Sequence, residues 1–171
     1  LPVVGLTAYR ALFVKAALKK EDKVLITGIG GGVAITAALM AKANGNEVYF
    51  TSGDNDKIAK AMHYGFNAGF NYNNENHIEQ MKEVLNGIDV IIDGSAGSSF
   101  SKYIALCNYG ARIVFYGGGQ GKIQNLNPQP IFWKQIKIMG STMGSFNDFR
   151  SMIAFIDEYK VRPVVDSIYD F

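Results

Sequence analysis

Lys23-Val24-Leu25-Ile26-Thr27-Gly28-Ile29-Gly30-Gly31-Gly32-Val33-Ala34-Ile35-Thr36-Ala37-Ala38-Leu39 runs from an apolar strand-like stretch through a glycine turn into a small-residue helix. A diphosphate site needs this order. Glycines let the backbone approach a phosphate closely, and a helix start offers free N–H groups and the positive end of a dipole. The stretch departs from a strict G-x-G-x-x-G, because Val33 stands five residues after Gly28. A G-x-x-G-x-x-A reading through Gly28, Gly31 and Ala34 fits better, with Ala34 small enough for close helix-on-strand packing. Alone, such a turn is only a tight turn, and its meaning depends on its surroundings.

Outward from this turn the chain alternates. Short apolar runs rich in Val and Ile predict strands at 23–28, 47–52, 68–72, 89–93, 112–117 and 136–141. Helical spacing predicts helices at 5–18, 31–43, 54–64, 75–86, 98–107 and 147–159. Strands alternating with helices of this length imply parallel crossover units. Strands apolar on both faces belong in a sheet covered on both sides. The expected fold class is therefore α/β: a doubly wound parallel sheet of the Rossmann type, about six strands with helices on both faces. We expect one dinucleotide-binding domain over 1–171, with Arg162-Pro163 after the last helix as an exit point.

Composition narrows the function classes. The 171 residues are 48% hydrophobic and 19% charged, enough for one sizeable core. The net charge of +2, from 17 basic and 15 acidic residues spread along the chain, gives no concentrated field for nucleic acid or an anionic membrane. Cys107 is the single cysteine, which rules out an intrachain disulfide or a multi-cysteine zinc site and suits a reducing setting. With no apolar run approaching a membrane span and no leader-like opening, a cytoplasmic location is the default. His63 and His77 lack partners at ligand spacing, so no metal site is expected and both read as surface or helix-end residues. Ser95 follows Ile92 and Asp93 without a G-x-S-x-G elbow or a later histidine, which removes a serine hydrolase. The scattered aromatics read as core, and Trp133 as a packing residue.

The end of the second predicted strand bears on which nucleotide is bound. An NAD site usually places Asp or Glu there to accept from the ribose hydroxyls. Here the strand ends Tyr49-Phe50-Thr51-Ser52-Gly53, with Lys57 at the start of the next helix. Hydroxyls and a lysine suit a 2′-phosphate, whereas Asp54 and Asp56 pull the other way. Lys57 alone reads more readily as a solvated surface lysine than as a ligand residue.

Taken together, these stretches resemble the quinone oxidoreductase branch of the medium-chain dehydrogenase/reductases. The resemblance is carried by Val24 to Ala34, the opening VVGLTAYRALF, Lys57, Tyr72 in FNY, Asp89 with Asp93, and Gly110 to Gly117. Phe132-Trp133-Lys134, Gly140-Ser141-Thr142-Met143-Gly144 and Val161-Arg162-Pro163 complete it. It implies an NADPH-dependent oxidoreductase passing a hydride between cofactor and a small carbonyl, enone, quinone or alcohol. It also implies a missing N-terminal barrel-like domain, so that the chain is a fragment of a two-domain enzyme that binds cofactor but turns over little alone. Lys57 and Tyr72 occupy positions that touch the 2′-phosphate in that branch. Homodimers of the branch join sheets through the edge strand, here 136–141, where Lys134 and Lys137 could instead guard the edge by charge.

By position, Gly30, Gly31, Gly32 and Val33 are expected to present backbone donors to the diphosphate. Ser52, Lys57 and Tyr72 are expected to hold the 2′-phosphate and its ribose. Gly94, Ser95 and Ala96 follow the fourth strand, and Tyr116, Gly117 and Gly118 the fifth, so both turns are candidate walls for the nicotinamide riboside. Gly117-Gly118-Gly119 also reads as a flexible loop opening. Catalytic residues are not identifiable. Two other functions stay open. Gly28, Gly30 and Gly32 also spell the G-x-G-x-G of S-adenosylmethionine-dependent methyltransferases, although Ile26 stands where those enzymes place an acid. A non-catalytic NADPH sensor is the other.

Overall fold

The computed structural model describes residues 2–165, 167, 168 and 170. Leu1 and Phe171, the ends of the expected domain, lie outside the described residues. Six strands, β1 (Lys23–Ile26), β2 (Glu47–Ser52), β3 (Ala68–Asn71), β4 (Ile88–Asp93), β5 (Cys107–Phe115) and β6 (Lys137–Gly140), form one sheet in the order β3-β2-β1-β4-β5-β6. Every pairing is parallel. This is the doubly wound order, and the chain reverses its direction of winding between β1 and β4. Ligands of open α/β sheets bind at that crevice, outside the strand carboxyl ends.

The helices are α1 (Pro2–Tyr9), continued by a π-helical stretch at Arg10–Lys15, then α2 (Gly32–Ala43), α3 (Asn55–Met62), α4 (His77–Leu85), α5 (Phe100–Tyr103), α6 (Pro128–Trp133) and α7 (Phe146–Tyr159). Strand residues alternate between two cores. Ile26, Phe50, Ile92, Val114 and Met139 pack with α1, α2, α3 and α7, while Leu25, Tyr49, Ile91, Ile113 and Ile138 pack with α4, α5 and α6. The register makes each set one row across the sheet: Leu25 pairs with Tyr49 and Ile91, Ile91 with Ile113, and Ile113 with Ile138. Each such side chain, removed from water, contributes about 1.5–3 kcal/mol. Ala34, fully buried in the first turn of α2, lets that helix lie close on the sheet.

Two expectations need correction, and one helix is additional. The helix predicted at 98–107 is one turn, α5, followed by a 3₁₀ turn at Ile104–Leu106, and Cys107 already belongs to β5. Cys107 pairs with Ile88, and the register then shifts before Val90 pairs with Arg112. A bulge of this kind lets β5 begin before the Val/Ile run that reveals a strand in sequence. Helix α6 was unforeseen, although Asn127 caps it through Oδ1 to Gln129 N (3.0 Å) and Pro128 opens it, both start signals. Its six residues are too few to show a period. Trp133 is not core: it and Phe132 are 69% and 65% exposed at the end of α6.

Candidate functional site

The carboxyl ends of β1, β2 and β4 are held together by hydroxyls and one buried carboxylate. Thr27 ends the β1 run and Asp93 ends β4, and the pairing of Ile26 with Ile92 makes them neighbours. Thr27 Oγ1 donates to Asp93 Oδ1 and accepts from Gly94 N at 3.2 Å. Asp93, 1% exposed, also accepts from Ser95 N (2.9 Å) and Ala96 N (3.1 Å). A buried carboxylate is stable only when hydrogen-bonded in this way. The turn after β4 is thereby wrapped around Asp93, with Ala96 at φ 56°.

The glycine turn after β1 is pinned to β2. Ile29 N donates to Thr51 O (2.9 Å), and Gly28, at φ +68°, donates to Thr51 Oγ1 (3.3 Å). Gly31 N donates inward to Gly28 O (3.0 Å), so its N–H does not face outward as expected. The N–H groups of Gly30, Gly32 and Val33 have no partner among the described residues; Gly32 and Val33 open the first turn of α2, whose cap, Gly31, has no side chain, and Gly30 precedes that cap. Three of the four expected donors are thus open at the start of α2.

Beside them lies a cleft of about 390 Å³ lined by Gly28, Gly30, Ser52, Gly53, Asp54, Lys57, Tyr72 and Asn73. Lys57 folds back over the glycine turn: a Cβ built on Gly30 would stand 3.1 Å from Lys57 Cδ and 3.5 Å from its Nζ. That ammonium forms no ion pair or hydrogen bond among the described residues. Tyr72 donates its N–H to Ser52 O (3.0 Å) and lays its ring on Gly53, where a Cβ would meet Tyr72 Oη at 2.7 Å. Asn73 Nδ2 donates to Gly53 O (2.9 Å) and closes the rim. Ser52, Lys57 and Tyr72 therefore share one cleft with the glycine turn.

The second expected group also converges. A Cβ on Gly94 would stand 2.5 Å from Tyr116 Oη, and one on Gly117 would stand 2.8 Å from Gly94 O. Ser95 Oγ would lie 3.5 Å from a Cβ on Gly28, which links this group to the first. Tyr116 N donates to Asp93 O (2.9 Å), and Gln120 N to Ser95 O (2.8 Å), folding the loop after β5 back on the loop after β4. Gly118 faces open space. Burial, then the Asp93 charge, pushes the Tyr116 hydroxyl up to about 12, so it stays protonated.

Sequence reading missed Thr27, Thr51 and Asp93 as the pins of this site, and Asn73 as part of its rim. The first three had a signal, a polar residue at or near the end of an apolar strand; Asn73 had none. His63 is exposed at the end of α3, whereas His77, at the start of α4, is only 2% exposed and holds Asn74 O through Nδ1 at 2.7 Å. Among the described residues no group of three or more His, Cys, Asp or Glu could hold a metal, and no helix is long and apolar enough to cross a membrane.

The profile of the family described as zinc-binding dehydrogenase matches residues 32–158. A zinc-type alcohol dehydrogenase-like protein of Leptosphaeria maculans is 33% identical over 174 residues, which cover 96% of this chain and 48% of that protein. Human quinone oxidoreductase is 31% identical over 171 residues, covering 95% of this chain and 51% of its own. A crystal structure described as an NAD-dependent alcohol dehydrogenase superposes with a TM-score of 0.88 at 29% identity, over 96% of this chain and 48% of that one. The chain spans about half the length of the curated relatives it matches.

Proposed function

Since the chain belongs to the zinc-binding dehydrogenase family, we propose that it is the NADPH-binding half of a two-domain oxidoreductase acting on a small carbonyl, enone, quinone or alcohol. The observation that carries this reading is Lys57, an ammonium without a protein partner, folded over Gly30 in a cleft shared with Ser52 and Tyr72. Lys57 is exposed, and a cation on the rim of a cleft with no counter-charge bound to it attracts an anionic ligand, while hydroxyls beside it add neutral donors suited to phosphate oxygens. The N–H groups of Gly30, Gly32 and Val33 would face the diphosphate. Ser52, Lys57 and Tyr72 would hold the 2′-phosphate, and the turns at Gly94-Ser95-Ala96 and Tyr116-Gly117-Gly118 would flank the nicotinamide riboside. The cofactor, when bound, supplies or receives the hydride. These residues bind and orient it, and the half-buried Tyr116 keeps its proton.

Despite the family's name, no group of three or more His, Cys, Asp or Glu among the described residues could hold a zinc ion. The methyltransferase alternative falls with the family assignment. Cys107 is buried as a free thiol, in keeping with a cytoplasmic protein, and the assembly is a homodimer joined through β6.

The test is cofactor selectivity in a variant. Lys57→Ala should weaken binding of NADPH about tenfold or more while changing that of NADH little, since one charge–phosphate contact is worth roughly 1.5–3 kcal/mol. Equal losses for both cofactors in calorimetric titrations would remove the 2′-phosphate assignment.

A further inference from the structure

The cleft that holds Lys57 also holds a carboxylate. Asp54 caps α3 from an extended backbone (φ −135°, ψ 121°), with Oδ1 accepting from Asp56 N at 2.8 Å and Lys57 N at 3.3 Å. It lines the same space as Ser52, Lys57 and Tyr72. We propose that Asp54 is a specificity residue that acts against the 2′-phosphate, keeping this cleft open to dinucleotides with and without that group. The proposal rests on the 2′-phosphate reading given above.

Two physical effects converge on it. The carboxylate engages N–H groups at the positive end of α3 that an incoming phosphate would otherwise reach. It also places a full negative charge on the cleft wall, and Asp56 adds a second in the same first turn. Neither effect is cancelled inside the protein, because Asp54 and Lys57 form no ion pair among the described residues. A 2′-phosphate would therefore meet attraction from Lys57 and repulsion from Asp54 at once, whereas a ribose with free hydroxyls would meet a carboxylate acceptor. The charge is not needed for the cap, since Asn and Ser cap helices as well as Asp does. Cap and charge can thus be separated by substitution.

The probes are adenosine 2′,5′-bisphosphate and adenosine 5′-monophosphate, titrated calorimetrically into the unmodified chain, Asp54→Asn and Asp54→Ser. The readout is the ratio of the two dissociation constants, because damage to α3 would weaken both ligands together. Preference for the 2′-phosphate should rise about five- to tenfold in both variants at low ionic strength, and most of that gain should vanish in about 0.5 M salt, where exposed charges are screened. Variants matching a phosphate-preferring unmodified chain within twofold would overturn this inference alone, as would a gain that survives high salt. An unmodified chain that binds neither probe would overturn the cofactor reading as well.

Discussion

Asp93 shows how a single buried side chain shapes the site without facing a ligand. Its carboxylate accepts from Thr27 Oγ1, Ser95 N and Ala96 N, so Asp93→Ala would strand three buried or half-buried donors. The expected cost is about 3 kcal/mol, read as a fall in the midpoint of urea unfolding at an unchanged slope; a variant as stable as the parent would refute this role. Cys107 gives a prediction with a pH sign. Burial pushes its thiol from 9.0 up to about 12, because the thiolate is poorly solvated there. Its folded value lies above its unfolded one, so its contribution to stability is complete below pH 9 and is lost as pH rises towards 12. Native protein at pH 8 should therefore resist a thiol-specific chromogenic reagent that labels Cys107 at once in urea; prompt labelling of folded protein would contradict this. At this scale residue type pointed to the glycine turn, Ser52 and Lys57, and the family resemblance alone pointed to Tyr72; the fold brings them to one cleft. The inward turn of Gly31 N–H was not legible, since only φ and ψ decide where an N–H points.

Among the elements, those with a full repeat of apolar spacing were legible: β1, β2, β4, α2 and α7 fall close to where alternation and helical period put them. α5 and α6 were not, for they are one or two turns long and periodicity needs more. The expected last strand, 136–141, is β6, Lys137–Gly140, at the sheet edge beside β5. Lys137 is exposed there, while Ile138 and Met139 are half-buried. The helix before it in the chain, α6, ends in the exposed Phe132 and Trp133, and an exposed apolar pair is a contact surface that water disfavours. Under the homodimer proposal, Phe132→Ser with Trp133→Ser should weaken self-association at least tenfold without unfolding a chain that does not bury either ring. Sedimentation of both proteins at tens of micromolar checks it. A monomeric parent, or a dimer indifferent to the change, would refute the proposal.

For the molecule as a whole, the parallel sheet brings all six strand carboxyl ends to one edge, and the cleft with Lys57 and the turns around Asp93 lie along it. Recognition of a dinucleotide can be complete within such an edge. Enclosure of a substrate cannot, because hydride transfer needs both carbons held at contact distance in a water-poor cleft, and the proposed second domain would supply the other wall. The proposed function thus turns on cofactor binding by this chain. Its most direct test is a pair of calorimetric titrations of the unmodified 171 residues with NADPH and with NADH at low ionic strength. One site per chain, with NADPH bound about tenfold more tightly, is the predicted result; equal affinities, or no heat with either cofactor, would contradict it.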